Sequence, residues 1–442
     1  MSIFSRFNAC SLLIVGFSGL VSGPLQAIEN ERQYGEGLTV RLNDDGSSYV
    51  RFVLLTQFWA RTSELNPGSE VNGQPTKVTS DFVLRRARLL TYAQVTKDLL
   101  AMFHVGVTSQ SFRQFDSQLE LYDAYFDQRL VGSSSFTLNA GAGLHSWQGF
   151  SRASSASALT LLPLDVALVA FPTVNATDKL GRRLGVFVKG AVMDRLRYRW
   201  AFTRPFNRGD GVYGTPTPGG ATLFNAEANT FSTGGYLEWQ FYDLESDLLP
   251  FRQGSYLGTK RVLNLGFGYS FHPEAMVSIA SGGVRHTHAN QIFGVDYFME
   301  LPRTFYDEGT LTTYLSYAYQ DMGPGYVRHL GIANIADAGV GSSLSGGGNA
   351  GPTSGTGHHL YGELGYLFDL PFGGLQPYAV TSVSKFQAYR GLSPSFGAGL
   401  NYLVMGHHLK VTLHYQARPV WLDPKGFDRF ASEACLQMQL YL

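Results

Sequence analysis

The stretch RLRYRWAFT, residues 195–203, decides the fold. Leu196, Tyr198, Trp200 and Phe202 alternate with Arg195, Arg197, Arg199, Ala201 and Thr203. A helix would scatter the three arginines around its circumference. A strand, whose side chains point to opposite faces in turn, gathers them on one side and the aromatics on the other. One face suits lipid and the other suits water.

The same period recurs along the chain. Leu263, Leu265, Phe267, Tyr269 and Phe271 alternate with polar or small residues, as do Phe293, Val295, Tyr297, Met299 and Leu301. Leu311 to Tyr319, Leu409 to Tyr415 and Leu436 to Leu442 repeat it. Segments of about ten residues with alternating hydrophobicity, separated by turn residues, are the mark of a transmembrane β-barrel. Candidate strands fall near 49–61, 82–95, 100–109, 119–130, 134–146, 182–192, 195–204, 231–242, 261–271, 276–285, 291–301, 310–321, 358–369, 376–387, 394–404, 407–417 and 432–442. That is seventeen, and single-chain bacterial barrels have even numbers. The stretch 276–285 is the weakest, because Gly282 and Gly283 interrupt it. The reading is therefore all-β: an antiparallel transmembrane barrel of about 16 strands, with 18 as the alternative. A soluble β-sandwich would also alternate. Tyr and Trp at the ends of the apolar faces, as in interfacial girdles, and one unbroken pattern to the last residue favour the barrel.

Composition agrees. Of 442 residues, 51 are Gly, 14% are aromatic and only 15% are charged, against about 25% charged in an ordinary soluble protein. The formal net charge is zero, which offers nothing to nucleic acid. Mean hydropathy is −0.06, too polar for a bundle of apolar helices. The N-terminus reads as a secretory signal over 1–27. Arg6 supplies the positive charge, Leu12 to Val21 the apolar run, Pro24 the break and Leu25-Gln26-Ala27 the cleavage site. Cys10 lies too early for lipid attachment, so the mature chain keeps one cysteine, Cys435. Residues 28–442 form one barrel domain, in a Gram-negative outer membrane.

Loops differ in length. Phe206 to Asn229 and Gly323 to Gly357 are long and rich in Gly, Pro, Ser and Asn, and are placed outside the cell; Gly346-Gly347-Gly348 marks the second as flexible. Met193-Asp194, Asp307-Glu308-Gly309 and Met405-Gly406 read as short periplasmic turns. The stretch from Gln148 to Leu180 is too long for a turn and too apolar for open water, with Phe150, Leu161, Leu162, Leu164, Val169 and Phe171. It is expected to fold inward and narrow the lumen; an extra pair of strands is the alternative. About twenty residues between Ala27 and Tyr49 are too few for a plug domain but enough for a short hatch.

In order along the chain, four places resemble the phosphate-selective porin O and P family of outer-membrane porins. They are Arg85, Arg86 and Arg88 within DFVLRRARL; the Leu121-Tyr122-Asp123-Ala124-Tyr125-Phe126-Asp127 strand; Trp147-Gln148-Gly149-Phe150 with Ser154-Ser155, followed by Arg182, Arg183, Gly185 and Val186; and GLNYLVMGHHLKVTLHYQ from Gly399 to Gln416. The resemblance implies a roughly sixteen-stranded, trimeric porin whose third loop folds inward. The chain departs from the family twice. Between His145 and Gly181 the only bases are Arg152 and Lys179, with Asp165 an acid among them, and the last residue is Leu442 where an aromatic is common.

Parity assigns Arg51, Arg86, Arg88, Lys189, Arg195, Arg197 and Arg199 to the lumen, with the acids Asp123, Asp127, Glu238, Asp296, Glu300 and Glu363. Arg152, Asp165 and Lys179 are the constriction-loop candidates. Charges of both signs across a pore build a transverse field, and ladders of one sign select ions. The bland reading is plain lumen hydration and cross-strand ion pairs. Paired histidines at 286 and 288, 358 and 359, and 407 and 408 have no Cys or carboxylate cluster to make a metal site, and no cofactor is implied. His145 and Ser146 are adjacent on a strand and point to opposite faces, so they cannot act as base and nucleophile. The reading is a non-enzymatic passive channel for small hydrophilic solutes, with phosphate-like anions as the expected preference. The alternative is a non-porin barrel, either a transporter of hydrophobic compounds or a structural barrel.

Overall fold

The computed structural model describes residues 38–115, 118–206, 213, 215–304 and 309–442. The signal over 1–27 and most of the Asp307-Glu308-Gly309 turn lie outside them. Sixteen long strands form the wall. They are β1 (Tyr49–Glu64), β2 (Val78–Thr96), β3 (Leu99–Gln110), β4 (Glu120–Gly132), β5 (Phe136–His145), β6 (Arg183–Val192), β7 (Leu196–Arg204) and β8 (Ser232–Gln240). There follow β9 (Val262–Ile279), β10 (Arg285–Pro302), β11 (Gly309–Asp321), β12 (Gly357–Leu370), β13 (Gly373–Phe386), β14 (Ser393–His407), β15 (Leu409–Asp423) and β16 (Gly426–Tyr441). Each pairs antiparallel with its chain neighbour, and β1 closes the sheet on β16 with Leu55 opposite Tyr441 and Ser63 opposite Glu433. Closure leaves no open edge, which a lipid environment requires.

The predicted faces hold. Trp200, Leu265, Phe293, Tyr317, Leu413 and Met438 are exposed on the outside, while Arg199, Asp296, Lys410, Gln437 and Gln439 are buried inside. The stretch read as a separate strand at 276–285 is divided instead. Its first part continues β9 past a bulge between His272 and Met276, and its end begins β10. The bulge restores pairing after Pro273, so one long strand replaces two short ones. Residues 38–41, counted toward a hatch, form a short strand that pairs with β1 from Phe52 to Tyr49. It continues the course of β16, just past whose end the Leu442 carbonyl accepts from the Leu54 amide.

One end of the barrel carries short turns, such as Met193-Asp194 with both residues at positive φ. The long loops, apart from 241–261, lie at the other. The loops 65–77 and 322–356 pair there through Asp337 and Glu70, and Val327–Leu330 pairs with Gly351–Gly355. The expected flexibility at Gly346 to Gly348 is not what the structure shows. Asn66 Nδ2 donates to the Gly346 carbonyl at 3.0 Å, and the Gly348 amide donates to Ser69 Oγ at 2.8 Å. A Cβ on Gly347 would collide with the Asp337 carbonyl, so close approach explains this glycine.

Candidate functional site

The lumen is occupied, and its contents form the candidate site. After β5 the chain turns inward over residues 146–182, as expected from its apolar content. It forms two short helical turns, Ala153–Ser155 and Leu168–Ala170, and no extra strand pair. Phe150 seats in a notch made by Gly268 and Gly294, register partners on β9 and β10. Ile292 and Ala318 complete that contact. The Arg152 amide then donates to Asp296 Oδ2 at 2.7 Å and the Ala153 amide to the Tyr314 hydroxyl at 3.1 Å. Tyr236 and Tyr314 donate to the same carboxylate at 2.7 and 3.0 Å.

The loop then crosses to the far wall. Gln439 donates to the Leu159 carbonyl, Lys410 to Leu161 and Asn401 to Leu162, each at 2.8 Å. These inward polar side chains of β14 to β16 satisfy loop carbonyls that would otherwise be buried unpaired. At the tip, Asp165 meets Arg85 at 2.7 Å and also pairs with Arg86. Burial opposes ionisation of the Asp165 carboxyl, but Arg85 and Arg86 outweigh it and hold it below its ordinary range. On the return, Lys179 pairs with Glu120, and Arg182 lies 3.3 Å from Asp123.

A second segment enters from the turn end. Residues 241–261, between β8 and β9, fold inward. Leu248, Leu249 and Phe251 pack on the cluster of Leu90, Tyr92, Leu100, Met102, Tyr125 and Phe187. The two inserted segments meet. The Ser157 amide donates to the Arg252 carbonyl at 2.8 Å, and the Arg252 amide donates to the Ser155 carbonyl at 2.7 Å. Arg152 makes two contacts to Glu245, at 2.7 and 2.6 Å, and its guanidinium lies 3.8 Å from the Phe298 ring centroid.

The residues assigned to the lumen by parity are spread over several separate sites. Arg86 and Arg88 join a basic wall with Arg85 and Arg182. Arg88 donates to Thr108 at 2.9 Å and lies over the Tyr122 ring at 4.3 Å. Lys189 pairs with Asp127 at 2.7 Å, and Arg51 lies opposite Tyr92. The Arg195, Arg197, Arg199 set is separated by its partners. Arg195 donates to the Tyr242 carbonyl at 2.5 Å, Arg197 lies 3.4 Å from Asp247, and Arg199 lies beneath the Gly149 and Ser151 carbonyls. Glu238 sits between Arg152 at 3.6 Å and Arg252 at 3.2 Å. Glu300 accepts the Tyr256 and Gly258 amides, and Glu363 accepts the Tyr361 hydroxyl at 2.7 Å. Bases thus dominate at β2 and the start of β6, and acids at β8 to β12.

Parity alone misses Arg85. Strict alternation sends it to lipid, but a bulge against β1 leaves it without a partner there, since Gln57 faces Arg86 and Phe58 faces Leu84. On the β3 side Ser109 lies between Gln110 and Thr108 and accepts from the Arg85 guanidinium at 2.9 Å. An extra residue reverses the facing, so Val83, Arg85, Arg86 and Arg88 all turn inward. Two successive arginines within a lipid-facing pattern were the signal, because an arginine in mid-membrane costs roughly 2–4 kcal/mol. Glu245 and Arg252 were missed because nothing local distinguishes an inserted turn, except the run Leu248-Leu249-Pro250-Phe251.

No protein-family model matches the chain, and no curated relative does either. Among solved structures, OmpF of Salmonella typhi in complex with daunomycin aligns over 90% of this chain and 99% of its own, at 10% identity and a TM-score of 0.50. An anion-selective porin from Comamonas acidovorans aligns over 89% and 100% at 11% identity and 0.47. The outer membrane channel DcaP of Acinetobacter baumannii aligns over 90% and 99% at 10% identity and 0.46. The OmpF likeness is one of fold: this chain has the sixteen-stranded barrel architecture of outer-membrane porins. It does not single out the phosphate-selective family.

Proposed function

We propose that this chain is an outer-membrane diffusion channel for small hydrophilic solutes, with a preference for anions. One observation carries the reading. Arg85, Arg86, Arg88 and Arg182 gather on the lumen side of a lipid-embedded wall, and the carboxylates that pair with them are Asp165 and Asp123. Four positive charges against two leave an excess of two. Fixed like charges in a narrow, low-dielectric passage raise the local concentration of counter-ions. Guanidinium groups present planar donor forks suited to oxyanions. The residues read as pore-lining belong to this proposal, with weight moved from the β7 arginines to the β2 arginines. The homotrimer implied by the family resemblance belongs to it too, and chemical cross-linking in detergent tests it.

The test is single-channel recording in planar bilayers, with the reversal potential measured across a potassium chloride gradient. Chloride should be preferred, and Arg86→Gln with Arg88→Gln should remove most of that preference. A cation-selective wild type would overturn the anion reading. The absence of any conductance would favour the second reading, a gated or plugged transporter, for which the lumen crossed from both ends speaks.

A further inference from the structure

The cavity beside the basic wall has two unlike faces. It encloses about 120 Å³, the order of space that holds one aromatic ring. Its first face is Arg85, Arg86, Arg88 and Arg182. Its second is hydrocarbon, from Val166, Leu168, Phe171, Val174 and Leu180 of the inserted loop. Val166 and Leu168 also line a further cavity of about 180 Å³ toward β12 to β16, so this part of the loop separates two spaces.

The charge balance at the first face is incomplete. Asp165 serves Arg85 and Arg86, and Asp123 serves Arg182 together with His104 at 2.9 Å. Arg88 is held by Thr108 and the Tyr122 ring, and no carboxylate among the described residues pairs with it. Arg88 is half-buried and faces the cavity, and a guanidinium there without a counter-charge calls for an anion. The second face decides which anion. A fully hydrated inorganic oxyanion would shed water against hydrocarbon on that side without replacement. A carboxylate on a compact apolar body fits both faces, its head on the arginines and its body on the loop.

We propose that this cavity is a binding site for small organic carboxylates with an apolar, ring-sized body. The proposal rests on the anion-channel reading and names its substrate class. The site lies on the loop that narrows the lumen, so an occupant obstructs smaller ions.

The probe is benzoate. In planar bilayers it should reduce the chloride current saturably, whereas phosphate and benzyl alcohol at equal concentration should not. Arg88→Gln should weaken the block roughly tenfold, as loss of one charged hydrogen-bond partner predicts. Phe171→Ser should weaken it from the other face, so either variant suffices if the other fails to fold, which mobility of the unboiled protein on gels reports. Equal block by phosphate would make this a general oxyanion site and overturn the proposal. Equal block by benzyl alcohol would leave only an apolar cavity and overturn it as well. Conductance with no effect of benzoate sinks the site and spares the channel. Calorimetric binding of benzoate to the detergent-purified barrel without conductance sinks the channel and spares the site.

Discussion

Arg152→Met tests how the inserted loop is held. The guanidinium makes two contacts to Glu245, at 2.6 and 2.7 Å, donates to the Gln253 carbonyl at 2.7 Å and stacks over Phe298. Methionine keeps the stem and removes the charge. Glu238 still has Arg252 at 3.2 Å, so the group that loses its paired guanidinium is Glu245, which keeps only the Tyr256 and Asn264 hydrogen bonds and the more distant charge of Arg252. Breaking one half of a buried pair costs about 3–5 kcal/mol. At about 1.4 kcal/mol per decade, that moves the ratio of seated to displaced loop by roughly two to three and a half orders of magnitude. Burial already opposes ionisation of Glu245, and Arg152 is the charge that overcomes it and holds the carboxyl below its ordinary range. Without that arginine burial prevails, so the defect should be larger at neutral pH than at acidic pH, where protonated Glu245 keeps its contact to Tyr256. The assay is single-channel conductance together with the temperature at which the unboiled folded band disappears from a gel. Arg152→Met should give larger, noisier openings and a lower transition. Arg152→Met with Glu245→Leu should recover most of the loss, because an apolar pair replaces a broken ionic one. Wild-type behaviour of the single variant, or simple addition of the two single penalties in the double variant, would refute the reasoning.

Three further outcomes follow from the same geometry. Gly268→Val places a Cβ in collision with the Phe150 carbonyl, so it should unseat the loop and raise conductance while the strands still assemble; an unchanged conductance would contradict the notch. Trp200→Arg puts a charge on the lipid face, at a cost of roughly 2–4 kcal/mol near the midplane, and should lower refolding yield more than Arg199→Gln on the inner face; equal yields would break the parity. The carboxyl of Asp165 lies below its ordinary value of 3.8, so the stability it lends the loop is complete above that value and fades only as pH falls beneath it. Conductance should therefore be steady from neutral pH to about pH 4, with Asp165→Asn mimicking the acid state at pH 7; a transition near pH 5 in the wild type would show that Arg85 and Arg86 do not hold it.

Much of the fold was legible because a strand writes its two environments into alternate residues. Trp200 and Arg199 declare lipid and lumen with no reference to the rest of the chain. The inward loop was legible for a similar reason, since Leu161, Leu162 and Leu164 cannot be solvated in an open loop of that length. The boundary between β9 and β10 was not, because Pro273 and the glycines at 282 and 283 both read as punctuation. Only pairing with β10 on one long ladder shows that the first is a bulge and the second a turn.

The site was less legible, for a reason of range. The amino-acid order determined that this chain makes a lipid-embedded barrel, which side chains face inward, and that an apolar segment fills the lumen. These follow from local period and hydrophobicity. It did not determine which inward charges meet. Asp165 reaches Arg85 from 80 residues away, and Arg152 reaches Glu245 from 93. Those meetings depend on strand register, on a bulge that turns Arg85 inward, and on a segment between β8 and β9 that enters the lumen. Ion pairing depends on separation in space. A closed sheet brings distant strands and inserted loops within a few ångströms, and only the tertiary structure specifies which.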